Sequence, residues 1–216
     1  MYGKTGSQKK RISPPPASAA SLTRQAFMND MRIRTATTAD VPALLDIYAP
    51  YVRETAISFE YEVPTLQDFE SRVTRTLTRY PWIVAEEGGT MLGYAYASAF
   101  HPRRAYAWCA EASIYVAQNE RGRGLGSLLY ARLEELLKRQ GILLLYACIA
   151  RPPQEDEHLT LASILFHARM GYHTVGEFPR CGFKFNRWYD MVWMEKRLAE
   201  PADPPLPVIP FPEIGA

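Results

Sequence analysis

Between Arg121 and Gly126 the chain reads RGRGLG, three glycines and two arginines in six positions. The alternating apolar run CAEASIYV precedes it and SLLYARLEELLKRQ follows, so the loop joins a strand to the N-terminus of a helix. Such an N-terminus presents unpaired N–H groups and the positive end of a helix dipole. With the charge of Arg121 and Arg123 added, the combination suits a phosphate or pyrophosphate. Two common phosphate binders are excluded by the residues themselves. A dinucleotide loop spaces its glycines GxGxxG and places an acid about twenty positions later, whereas this loop reads GxGxG and residues 141–150 read GILLLYACIA. A triphosphate loop requires Gly-Lys-Ser/Thr, and here Ser127 follows Gly126 with no lysine. On its own the loop also fits a solvated turn. Glu111, near the start of the preceding strand, is the second group able to do chemistry. Apolar neighbours raise a carboxylate's affinity for protons and suit it to act as a base; read alone, it equally fits an edge carboxylate facing water.

The bulk numbers limit what this site can serve. The chain has 216 residues, 47% apolar and 12% aromatic, enough for a sizeable core. Its formal net charge of +2 is too small for a general nucleic-acid binder. The longest apolar stretch, ILLLYACIA from Ile142 to Ala150, is too short to cross a bilayer and reads as a buried strand. Three scattered cysteines (Cys109, Cys148, Cys181) without a CxxC pair support neither a zinc site nor a disulfide framework, and point to a reducing cytoplasm. No metal is called for.

The elements that must position these groups follow from periodicity. Residues 1–30 are basic, rich in Ser, Ala and Pro, and read as a disordered arm, with an organellar targeting segment or a later start as alternatives. Residues 199–216 carry six prolines and read as an extended tail. The globular domain is therefore 31–198. Within it MRIRTAT is a strand, and Val41, Leu44, Leu45, Tyr48 and Val52 form the apolar stripe of a helix capped by Thr38 or Asp40. A second helix starts at Thr65, with Asp68 completing an acidic capping box, and stops before Pro81. WIVAEE, GGT and MLGYAYASAF make a hairpin. After CAEASIYV and the loop helix come the strand ILLLYACIA and the helix TLASILFHARM. Two closing strands, YHTVGEF and WYDMVWMEK, flank a hairpin-like excursion. The order βααβββαβαββ predicts one α/β (α+β) domain with a mixed central sheet flanked by helices.

The pattern Arg121-x-x-Gly124-x-Gly126 after a strand resembles the pyrophosphate loop of the GNAT superfamily of acetyl-CoA-dependent N-acetyltransferases, most closely its phosphinothricin acetyltransferase branch. The resemblance runs from Ile33 to Lys196. It rests on RTATTADVPALLDIY, RYPWIVAE, AEASIYV followed by RGRGLGSLLY, FHARMGY, and KFNRWYDMVWMEK. It implies the GNAT fold, in which the strand before the loop splays from its neighbour. Main-chain groups of Ile114, Tyr115 and Val116 would hold the pantetheine arm, and Arg121, Gly122, Arg123, Gly124, Leu125, Gly126 and Ser127 the pyrophosphate.

By the same resemblance Glu111 is the base that deprotonates the acceptor amine. His167 protonates the leaving thiolate or orients a water; otherwise it is a hydrogen-bonded core residue. Tyr130 is the weaker alternative acid. Phe59, Arg103, Arg104 and Tyr106 contact an amino-acid-like acceptor of the phosphinothricin or methionine sulfoximine kind, an arginine gripping its carboxylate. Where many members carry an asparagine near the pantetheine, this chain has RPPQEDEHLTLAS, which leaves that contact without a side chain. A homodimer is implied, with WYDMVWM contributing. A protein or peptide acetyltransferase and a catalytically silent acetyl-CoA-binding module are the rival readings.

Overall fold

The computed structural model describes residues 31–215. The elements run β1 (Met31–Thr35), α1 (Val41–Glu54), α2 (Leu66–Leu77), β2 (Trp82–Glu87), β3 (Thr90–Ala99), β4 (Cys109–Val116), α3 (Leu125–Gln140), β5 (Leu144–Arg151), α4 (Ala162–Arg169), β6 (His173–Lys184) and β7 (Arg187–Arg197). This is the order expected from periodicity, and the proposed arm lies outside the described residues. The strands form one sheet of seven, in the order β1-β2-β3-β4-β5-β7-β6. β4 and β5 pair parallel; the β2–β3, β3–β4, β5–β7 and β6–β7 pairs are antiparallel.

Alternation along each strand serves two helical layers. Ile114 faces α3, whose Gly126 it approaches, while the next residue, Tyr115, packs edge-on against Tyr48 and Tyr51 of α1 at 4.9 and 5.1 Å. On the α1 side Leu44, Tyr48 and Val52 join Phe69 and Val73 of α2 over Trp82, Val84 and Tyr94. On the other side Leu125, Leu129, Leu133, Leu136 and Leu137 of α3 are fully buried, each stabilising the fold by about 2 kcal/mol. α2 starts where the sequence placed it: Thr65 Oγ1 accepts from Asp68 N–H and donates to that residue's carboxylate.

Two hairpins close on two-residue turns with both residues at positive φ, the geometry that matches strand twist. Gly88 and Gly89 do this without strain, whereas the β6–β7 turn uses Phe185 (φ 49°) and Asn186 (φ 59°). The excursion expected there is shorter than the sequence suggested. β6 continues to Lys184 through register shifts between Phe178 and Gly182. Alternation failed to reveal it because, after Glu177, only Gly182 and Lys184 are buried.

The proline-rich tail lies on the body rather than free of it. Trp108 Nε1 donates to Leu206 O at 2.7 Å, Ile209 N–H to Gln140 O at 2.8 Å, and Phe211 is buried.

Candidate active site

β4 and β5 pair only at Cys109–Leu144, Ala110–Leu145 and Glu111–Tyr146, then separate. Along β4 the even residues turn their backbone groups toward β5. Trp108 O accepts from Leu144 N–H, and at the open end Val116, unpaired on that side, is held by Tyr51: its carbonyl accepts from the Tyr51 hydroxyl at 2.6 Å. Period two places the N–H and C=O of Ile114 on the same side, past the last β5 partner. The opening is a wedge lined by Ala112, Ser113, Ile114, Tyr115, Ala147, Cys148, Ile149 and Ala150 from the strands, and by Tyr130, Ser163 and His167 from the helices.

The wedge leads into a cleft of about 410 Å³ against the glycine loop. Its walls include Tyr51, Ile114, Val116, Arg121, Gly122, Gly124, Leu125, Gly126, Ser127, Phe166 and Arg169. The glycines serve different needs. Gly122 (φ 81°) and Gly124 (φ 85°) hold left-handed backbone, and an added Cβ would touch nothing within 4 Å. At Gly126 a Cβ would come within 3.0 Å of the Phe166 ring. Of the residues expected at the loop, Arg123 is absent from the cleft wall: it pairs with Glu87 at 3.3 Å and with Glu120. Arg121, stacked over the Tyr51 ring at 5.1 Å, and Arg169 on α4 face the cleft instead.

Glu111 holds the last paired position before the wedge, opposite Ser98 on β3 and Tyr146 on β5, and is not among the residues lining either cavity. Burial raises its pKa above the ordinary 4.5. Its charge reaches Tyr96, Tyr130 and Cys148. Across the wedge Tyr130 (0% exposed) and His167 (3%) are joined by a 2.9 Å hydrogen bond from hydroxyl to Nε2. The tautomer follows from the other ring nitrogen. Nδ1 lies 2.8 Å from Ser163 O, a pure acceptor, so Nδ1 carries the hydrogen and Nε2 accepts from Tyr130. Burial lowers the His167 pKa and keeps it neutral. Cys148, exposed at the wedge, donates to Met191 Sδ at 2.7 Å, and desolvation there together with the charge of Glu111 pushes its pKa up to about 12.

The acceptor residues are scattered. Phe59 lies against Gly182, where a Cβ would meet its ring, and near Tyr189. Arg103, Arg104 and Tyr106 form an exposed turn outside both cavity walls. Tyr106 packs on Phe100 (5.9 Å), which stacks on Tyr146 (4.2 Å), the β5 partner of Glu111. The acidic run after β5 is structural: Asp156 accepts from His158 N–H, Leu159 N–H and the Tyr189 hydroxyl, and pairs with Arg187.

A family model described as an acetyltransferase (GNAT) domain matches residues 33–193. The chain belongs to the GNAT acetyltransferase family. It is 34% identical over 184 residues to a phosphinothricin N-acetyltransferase of Streptomyces viridochromogenes, covering 85% of this chain and 96% of that one. It is 35% identical to an L-methionine sulfoximine/L-methionine sulfone acetyltransferase of Pseudomonas aeruginosa, covering 77% and 94%. Among solved structures, a phosphinothricin acetyltransferase of Sinorhizobium meliloti in complex with acetyl-CoA superposes with a TM-score of 0.74 at 29% identity, over 84% of this chain and 98% of that one. This acetyltransferase is thus an acetyl-CoA-dependent N-acetyltransferase with the GNAT fold. Among the described residues no helix is long and apolar enough to cross a membrane, and no cluster of metal ligands occurs.

Several residues at the site escaped sequence reading. Ile57 lines both the wedge and the cleft from the loop after α1, and Arg169 and Ser163 line the cleft from α4. Arg72 of α2 meets Glu60 at 2.6 Å. Arg169, two residues after His167 in FHARMGY, and Ser163, at the end of RPPQEDEHLTLAS, stood within quoted segments; Ile57 and Arg72 did not.

Proposed function

We propose that the enzyme transfers acetyl directly to the amine of a small amino-acid-like acceptor of the phosphinothricin or methionine sulfoximine class. The observation that carries this reading is a carboxylate with raised pKa, Glu111, on the strand whose Ile114 N–H is left open three residues further along. Acetyl-CoA supplies the thioester; the chain's residues do the rest. Arg121 and the first N–H groups of α3 hold the pyrophosphate, with Arg169 on the opposite wall, and Ile114, Tyr115 and Val116 hold the pantetheine arm. Ile114 N–H polarises the thioester carbonyl; one such donor contributes about 3 kcal/mol to lowering a barrier. Glu111 takes the proton from the acceptor ammonium. Tyr130, held at the wall by His167 Nε2, delivers a proton to the departing sulfur. Direct transfer is favoured over an acyl-cysteine route because the Cys148 thiol donates to Met191 Sδ rather than to a base.

Phe59 and the Arg103–Tyr106 turn form the acceptor side, the arginines meeting its carboxylate beside the Phe100–Tyr146 pair. The exposed apolar edge formed by Val175, Phe178, Phe183 and Trp188 is the surface through which the chain forms a homodimer, and three unpaired cysteines are in keeping with a cytoplasmic setting. The test is release of CoA thiol from acetyl-CoA with phosphinothricin, methionine sulfoximine, the common amino acids and short peptides. Saturable release with the small acids is expected. Release with peptides alone would make this a protein acetyltransferase, and saturable acetyl-CoA binding without release would make it a binding module.

A further inference from the structure

Lys184, at the end of β6, is 3% exposed and forms no salt bridge among the described residues, although the charge of Glu60 reaches it. Its ammonium instead donates to three main-chain carbonyls: Val52 at 2.8 Å, Thr55 at 2.9 Å and Ser58 at 2.6 Å. The reason lies in how α1 ends. A helix leaves its last carbonyls unpaired, and many helices satisfy them with a left-handed glycine just past the end. α1 instead ends on Thr55 in extended conformation (φ −128°), so its carbonyls need other partners. Tyr51 O accepts from the Thr55 hydroxyl at 2.7 Å, and Glu54 O from His158 Nδ1–H at 2.8 Å. Val52 O is left to Lys184, whose positive charge also sits at the negative end of the helix dipole.

The same ammonium reaches past the helix to the loop that carries Ile57 and Phe59. Ile57 is the one residue of that loop lining both wedge and cleft. The β6–β7 turn adds further ties. The Phe185 ring stacks on His158 at 3.8 Å, Gly182 admits the Phe59 ring, and Tyr61 donates to the Phe183 carbonyl. Phe185 adopts a left-handed φ that non-glycine residues seldom take, and the stack on His158 accompanies it.

We infer that Lys184 is a positioning residue for the acetyl-transfer site: it fixes the Thr55–Ser58 segment so that Ile57 roofs the junction of wedge and cleft and keeps water from the thioester. The inference rests on the acetyl-transfer reading above. A loose roof admits water, which adds at the thioester carbon; the C–O bond forms, the C–S bond breaks, the sulfur takes the proton, and acetate leaves in place of the acetylated amine.

Lys184→Met keeps an unbranched side chain only one atom shorter and removes all three donors. The experiment follows CoA release with and without acceptor, together with the acetylated product, in the parent, Lys184→Met and Ile57→Ala. Ile57 is 36% exposed, so its truncation tests the roof without disturbing the buried anchor. Both variants are expected to raise the ratio of hydrolysis to transfer, and the KM of the acceptor, on the order of tenfold. A lower melting temperature for Lys184→Met with that ratio and KM unchanged would reduce Lys184 to a packing residue and overturn the inference. If Lys184→Met does not fold, an unchanged ratio in Ile57→Ala overturns it. A parent that transfers acetyl to no amine counts against the function above, independently of the anchor.

Discussion

The two sides of the proposed site are built by different means. The donor wall runs almost without a break from Glu111 to Ser127, and most of what it offers is main chain: an opened strand, two left-handed glycines and the first turn of α3. The proposed acceptor side draws on a loop near residue 57, tied to the end of β6 near residue 184, and on an exposed turn near residue 104 that lies outside both cavities. Side chains such as Lys184 and Phe185 hold the loop end of it, through the Thr55 and Ser58 carbonyls and the His158 ring. A wall of main chain depends on backbone conformation and tolerates many side chains. A wall of distant side chains depends on each anchor holding its neighbour.

The largest expected effect falls where the walls meet. Glu111→Gln should lower kcat by a hundredfold or more, roughly the contribution of a placed base. In the parent kcat/KM should rise with pH as Glu111 ionises, above the ordinary carboxylate range because burial raises its pKa. In the variant that limb should vanish from the pH–rate profile. A variant that keeps the limb would assign the base elsewhere. Tyr130→Phe comes next, roughly ten- to hundredfold lower in kcat with acetyl-CoA affinity little changed. If His167→Gln proves far more damaging than Tyr130→Phe, the histidine itself delivers the proton.

Binding measurements sharpen the donor side. Gly124→Glu places a negative charge and a strained residue at φ 85°, and should weaken acetyl-CoA by at least about tenfold in calorimetry. Gly122→Ala, with nothing within 4 Å of its new methyl, carries backbone strain alone and should cost about 1 kcal/mol. The smallest effect separates the loop arginines. Arg121→Ala should raise the KM for acetyl-CoA severalfold, whereas Arg123→Ala, already paired with Glu87 and Glu120, should change it less than about twofold. Equal losses at both would mean that Arg123 leaves its carboxylates when acetyl-CoA binds.

The same division explains what was legible in the sequence. The element order, the Thr65 cap, the loop and its helix were all readable because each is a local pattern. The partial burial of Glu111 was readable because its strand neighbours are apolar, whereas the role proposed for it came from the family resemblance. The reach of β6 was not, since Arg180, Cys181 and Phe183 are exposed and leave no alternation to see. Nor was the task of Lys184: its three acceptors are carbonyls 126 to 132 positions away, and a carbonyl has no letter in the sequence. Arg123 looked identical to Arg121 because one of the two carboxylates that turn it aside, Glu87, lies on β2, far from the loop in sequence, and the nearby Glu120 gives no sign of which arginine it takes.

The parting of β4 from β5 has a consequence in the time domain. Amides in a closed ladder exchange their hydrogen only when the sheet opens, on the scale of local unfolding. Ile114 N–H has no such partner, so in deuterated water it should exchange early while Ala110, within the paired stretch, stays protected. Occupation of the wedge by a thioester carbonyl should slow that single site. Its exchange rate then becomes a clock for how long each acetyl group waits beside Glu111 before it is passed on.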